Sequence, residues 1–192
     1  MAERMGRSGG ANPARDRLPV RPENLSEFRL GQLVLLLSVA EQKASVHPLD
    51  VERIGYYDFF SANPFLVFDS DQEQRRELVL AGLDSKSLSY QSSAQRFSNR
   101  RARLQHDIAL LVAYGLMHAR VHAKSVSYKL TDEGREFACK FGSLYARAYR
   151  KSADLVVHHL SRFSDTKIRN EATRWLKAAA FMIDLFDIEE AP

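Results

Sequence analysis

The sequence predicts a mainly α protein carrying one short two-stranded hairpin. Three observations predict it. Apolar residues recur at three- and four-residue spacing through several long stretches after residue 25. Two short runs of strict alternation stand back to back between residues 118 and 130. Hydrophobic residues make up 45% of 192 residues, enough to build one real core.

Residues 1–24 read as a disordered basic arm. Gly6, Gly9, Gly10, Pro13, Pro19 and Pro22 leave almost nothing there to bury. Over residues 1–22 five arginines (Arg4, Arg7, Arg15, Arg17, Arg21) stand against Glu3 and Asp16, so this stretch holds +3 of the chain's net +4. The rest is near neutral, and the basic pI says nothing of a basic folded domain.

The first helix is expected from Ser26, as N-cap, to about Lys43, with Leu30, Leu33, Val34, Leu37 and Ala40 on one face. Leu35, Leu36 and Val39 widen that face, so the helix should be buried on most sides. A second helix begins at Asp50 after Pro48 and stops before Pro64. Residues 56–68 hold Tyr56, Tyr57, Phe59, Phe60, Phe65 and Phe68, read either as core or as a docking face. A short helix is expected over 71–83, then a Ser-rich loop, then a long helix from about Ser93 to Met117. The hairpin follows. Thr131 caps the next helix, with Asp132 and Glu133 suited to its positive end. That helix is expected to run through Ala148, and as far as Phe163 if nothing interrupts it. Residues 164–167 read as a turn, and a last helix carries Trp175, Ala179, Met182 and Phe186 on one stripe.

The order of three helices, hairpin and helix is that of a winged-helix domain with a two-stranded β-wing and additional C-terminal helices. Its most diagnostic stretch is YGLMHARVHAKSVSYKLTDEG. A helix ends in Gly-Leu, a ribbon follows, and Tyr128 and Leu130 plug that ribbon onto the core. The implied division is an arm at 1–24, the winged-helix domain at 25–163, and a C-terminal helix with an acidic tail at 164–192.

Candidate sites are few. From Ser85 to Gln105 the chain carries Lys86, Arg96, Arg100, Arg101 and Arg103 and no acid, a set suited to DNA phosphates. Arg96, Arg100 and Arg103 share a face beside the apolar one, and Arg101 lies nearer the apolar side, where it would pair with an acid or snorkel. Tyr56, Phe59, Phe65, Trp175, Met182 and Phe186 are candidate partner-binding residues. No metal site is expected. His118 and His122 straddle a helix end and a strand, and His158 and His159 point apart on a helix. Cys139 is the one cysteine, so no internal disulfide can form. No phosphate-binding glycine loop, nucleophile elbow or carboxylate pair is visible, and neither enzymatic activity nor a cofactor is expected. The apolar run Leu33–Ala40 is too short to span a bilayer, and no signal segment is seen, so a cytoplasmic protein with no membrane association is expected.

Three stretches carry a resemblance to a known family: RLGQLVLLLSVAEQKASVHPLDVERIGYYDFF, FSNRRARLQHDIALLVAYGLM and VSYKLTDEGREFACKFGSLYARAYRKSADLV. Together they resemble the middle component of prokaryotic ABC-three-component systems of Lamassu type, a winged-helix family, over about residues 29–155. The aromatic GYYDFFSANPFLVF segment and the long basic arm depart from that pattern. The resemblance implies a non-catalytic subunit of an anti-phage or anti-plasmid defence complex. Its partners would be a coiled-coil SMC- or Rad50-like ABC ATPase and an effector such as a nuclease, with double-stranded DNA held alongside. The alternative is a stand-alone winged-helix transcription regulator.

Overall fold

The computed structural model describes residues 22–43, 48–84, 92–122 and 125–186, without the side chains of Glu23, His122 and 178–186. The arm at 1–21, Lys86 and the acidic residues after Phe186 lie outside the described residues, as do the side chains of Ala179, Met182 and Phe186.

Helix α1 (Ser26–Gln42) is the hub of the molecule. Nine of its residues are buried, among them Leu33, Val34, Leu35, Leu36 and Leu37 in succession. A helix apolar on all sides must be surrounded, and α1 meets four other helices and the hairpin. Ser26 does not cap it. A 3₁₀ turn at Pro22–Asn24 leads in, Leu25 is the last extended residue, and Ser26 is already helical, its hydroxyl donating to the Glu27 carboxylate at 3.2 Å.

Helix α2 (Val51–Ala62) starts where the sequence places it. Asp50 accepts from the Arg53 amide at 2.8 Å, and Pro64 follows Asn63 at the far end. Helix α3 (Gln72–Leu80) is capped by Asp71 and sets Leu78 into the core. Helix α4 (Ser93–Ala113), capped by Ser92, ends before the expected Met117. Gly115 there takes φ +69°, a conformation that suits glycine, and turns the chain so that Met117 opens a strand.

Strands β1 (Met117–His122) and β2 (Ser125–Leu130) pair antiparallel, with Met117 opposite Leu130, Arg120 opposite Ser127 and Val121 opposite Val126. Met117 and Leu130 are buried and root the hairpin. The Tyr128 amide donates to Leu49 O at 2.9 Å, so the segment ahead of α2 lies along the hairpin edge. At the root, the Leu130 amide donates to the Glu41 carboxylate of α1 at 2.5 Å. Thr131 ties both ends: its hydroxyl donates to Gly115 O at 2.7 Å and accepts from the Gly134 amide at 3.0 Å.

The long helix expected after Thr131 is two helices. Helix α5 (Asp132–Cys139) stops, and α6 (Leu144–Leu160) restarts after Gly142 with Ser143 as its cap, accepting from the Ala146 amide at 3.1 Å. Glycine and serine together favour the break, since one weakens a helix and the other begins one. Phe141, between the two helices, packs against the open face of Gly31 on α1. Helix α7 (Asp165–Phe186) begins inside the stretch expected to be a turn, because the Ser164 hydroxyl accepts from the Lys167 amide at 3.3 Å and opens it. Ile168, Ala172, Trp175 and Leu176 of α7 are buried in the same core as α2 and α4.

Candidate functional site

The arginines of α4 do not form one solvent-facing row. Arg100 points inward and clamps Asp58 of α2 with two hydrogen bonds, Nη2 to Oδ1 at 2.6 Å and Nε to Oδ2. Its Nη2 also donates to Gln32 Oε1 at 2.7 Å, and Gln32 Nε2 in turn donates to the Tyr145 hydroxyl. Burial opposes the charge on Arg100, but the Asp58 carboxylate outweighs burial and raises the guanidinium pKa above its usual value. The Tyr149 hydroxyl is buried close by with no hydrogen-bond partner among the described residues, and burial, followed by the Asp58 charge, pushes its pKa up. A second bidentate pair joins Arg29 of α1 to Asp107 of α4 at 2.7 and 2.8 Å. These contacts fasten α1, α2, α4 and α6 together at their polar seam. Nothing in the sequence order pairs Arg100 with Asp58, since they are 42 residues apart.

The other arginines are held less deeply. Arg96 donates to Asn63 Oδ1 at 2.8 Å. Arg101 pairs with Glu52 and lies 5.9 Å from the centre of the Tyr56 ring, and Glu52 also receives Arg169 of α7 at 3.1 Å. The Arg101 hydrogen bond is the main reason the Glu52 carboxyl sits below its usual pKa. Among the described residues Arg103 reaches neutral oxygens, Asn99 O at 3.3 Å and Asn24 Oδ1 at 3.4 Å.

The candidate partner-binding aromatics lie mostly inside. Tyr56 and Phe59 are buried, and both rings pack on Phe97 of α4. Trp175 meets Phe60 edge-on at 5.1 Å and is only 9% exposed. Phe65 is partly buried beneath the Arg75 guanidinium at 5.3 Å.

A different apolar surface is exposed. Phe28 of α1 packs on Tyr145 at the start of α6, Phe137 of α5 packs on Phe141 of the break, and Leu25 and Leu144 are exposed at the starts of α1 and α6. Phe28 and Tyr145 are 5.2 Å apart, Phe137 and Phe141 5.0 Å. Leu144 is 69% exposed and Leu25 47%. This aromatic shelf was not read from the sequence. The signal that marks it is the Gly142-Ser143 break, which puts Leu144 and Tyr145 on the first turn of a new helix.

An open cavity of about 490 Å³ lies beside Cys139, lined also by Glu41, Arg135 and Arg150. Its charges are engaged by the chain: Arg135 by Glu41 at 3.0 Å, and Arg150 by the Ala138 and Phe141 carbonyls. Among the described residues no group of His, Cys, Asp and Glu could hold a metal ion. No described helix is long and apolar enough to cross a membrane.

The family model described as ABC-three component (ABC-3C) system Middle Component 2 matches residues 32–180. The chain belongs to this family. The Middle Component 2 match takes in the hairpin, the Arg100–Asp58 seam and the part of the shelf on α5 and α6. Membership of a three-component system implies partner subunits of that system. This Middle Component matches no curated protein and no solved structure.

Proposed function

We propose that this Middle Component is the non-catalytic accessory subunit of a Lamassu-type anti-phage or anti-plasmid defence complex in the cytoplasm. It would bridge a coiled-coil SMC- or Rad50-like ABC ATPase, an effector and DNA. The observation that carries the reading is the family match over residues 32–180. A winged-helix reading of α1, α2, α4 and the hairpin is supported by their order and by the Tyr128–Leu49 bond, which lays a short extended segment beside the wing. A partner-docking role is supported by the aromatic shelf, since exposed apolar groups of this kind mark interaction surfaces. Among the described residues no acid, base, nucleophile and metal set comes together, and the isolated protein is expected to lack nuclease, ATPase and hydrolase activity.

The test is co-purification of the full chain with the ATPase and effector encoded beside it, comparing the parent with Leu25→Glu/Leu144→Glu. Both side chains are exposed, so thermal stability should hold while capture of the partners falls about tenfold or more, the scale of a lost interface anchor. Undiminished capture by the folded variant removes the shelf from the interface. A stable homodimer that ignores the ATPase and binds one operator sequence would replace the reading with that of a transcription regulator.

A further inference from the structure

We infer that the cationic face of the β1–β2 hairpin, and not Arg100 or Arg101 of α4, is the surface with which this protein grips duplex DNA. The inference deepens the bridging role proposed above and rests on its DNA arm. Between Met117 and Leu130 the sequence holds Arg120, Lys124, Lys129 and two histidines and no Asp or Glu. The register places His118 opposite Lys129 and Arg120 opposite Ser127, so that His118, Arg120 and Lys129 share one face of the ribbon. Arg120 and Lys129 are exposed, and neither has a carboxylate within ion-pair distance among the described residues. Arg120 Nε instead donates to His118 Nε2 at 3.1 Å.

Arg100 and Arg101 of α4 are placed differently. Arg100 could reach a phosphate only by leaving Asp58, which is 3% exposed and would become an unpaired buried charge. Arg101 would have to abandon Glu52. The exposed positions of α4 that follow, Ala102, Gln105, His106 and Ala109, add no full positive charge.

The opposite face of the hairpin carries an exposed valine pair toward its tip, Val121 at 76% and Val126 at 41%. A two-stranded ribbon fits a DNA major groove about 12 Å wide, with cations on the backbone phosphates and apolar groups against thymine methyls or groove walls. Such contacts are made without regard to sequence where phosphate dominates.

The full-length chain is titrated with short labelled duplexes of unrelated sequence, by fluorescence anisotropy, over a series of salt concentrations. Arg120→Ala/Lys129→Ala should weaken binding equally for every duplex and flatten the log–log salt slope by about 1.8, two phosphate contacts at roughly 0.9 each. Arg120→Lys/Lys129→Arg should keep the parent slope. Val121→Ser/Val126→Ser should lower affinity without changing the slope, and Arg101→Ala should change neither. Thermal melting of each variant verifies the fold. The inference is overturned if the parent chain binds no duplex at low salt, if the double alanine variant keeps its slope, or if Arg101→Ala takes the loss instead. It is also overturned, in favour of an acidic protein surface, if the double alanine variant keeps duplex binding but loses a partner subunit. Partner capture by the shelf variant is read separately, so failure here and failure of the bridging role are told apart.

Discussion

Asp58→Ala tests whether the Arg100–Asp58 clamp organises the helix core. Asp58 is 3% exposed, and the Arg100 side chain 16%. Removing the carboxylate leaves a guanidinium with Gln32 as its one described polar contact and no other ion-pair partner among the described residues. Breaking a buried pair from one side costs about 3–5 kcal/mol, because the remaining charge is left desolvated. Arg100 keeps a narrow path to solvent, which places the expected loss near the lower end, about 3 kcal/mol. For a chain of this length that corresponds to a fall in Tm of roughly 6–12 °C. Calorimetry and urea unfolding measure it, and the loss should change little with added salt, as a buried pair is poorly screened. Asp58→Leu/Arg100→Met, which replaces both charges with apolar groups of comparable size, should recover most of the loss. A fall below about 1 kcal/mol in the single variant would refute the reasoning, because a pair that matters is never cheap to break from one side. So would a double variant as unstable as the single, since the cost would then lie in shape and not in charge.

Two further outcomes follow from the packing. His159 sits against Phe68 and Phe163, and burial first, with the Arg162 charge second, lowers its pKa below 6.5. The unfolded chain therefore takes up the proton first as the pH falls, so stability should decline below about pH 6.5. His159→Gln should flatten that decline in urea midpoints taken on either side of this value. Gly134→Ala places a Cβ 2.1 Å from Leu116 O, a backbone atom that cannot rotate away. It should cost on the order of 2 kcal/mol or more in urea unfolding, as overpacking does in a closed site, and a neutral result would mean that the hairpin root can yield.

The helices were legible where periodicity and caps agree. Asp50 and Thr131 each cap the helix their position announces. Leu33 to Ala40 read as a helix buried on most sides, and they are. The failures have local causes. Ser26 carries the right side chain for a cap, but the preceding 3₁₀ turn fixes where the helix begins. The pattern through Phe137, Phe141, Leu144 and Ala148 keeps helical spacing across Gly142, so spacing concealed a break that Gly and Ser alone announced. The site was harder to read. Charge counting grouped Arg96, Arg100 and Arg103 by angle on one helix. Asp58, the partner of Arg100, and Asn63, the partner of Arg96, come from another helix and its end, and only tertiary packing could show that Arg100 turns inward.

The root of the hairpin has a mechanical consequence. Thr131 holds the end of α4 to the start of α5, Glu41 of α1 holds the Leu130 amide, and Met117 and Leu130 are sealed below. The ribbon thus has no free joint at its base, and its aim is dictated by the central helix. Such a spoke has surrendered its conformational freedom during folding, so it loses little more on meeting a ligand. For the same reason, a load applied at the tip is passed to α1 as torque, and a partner that rotates α1 steers the tip.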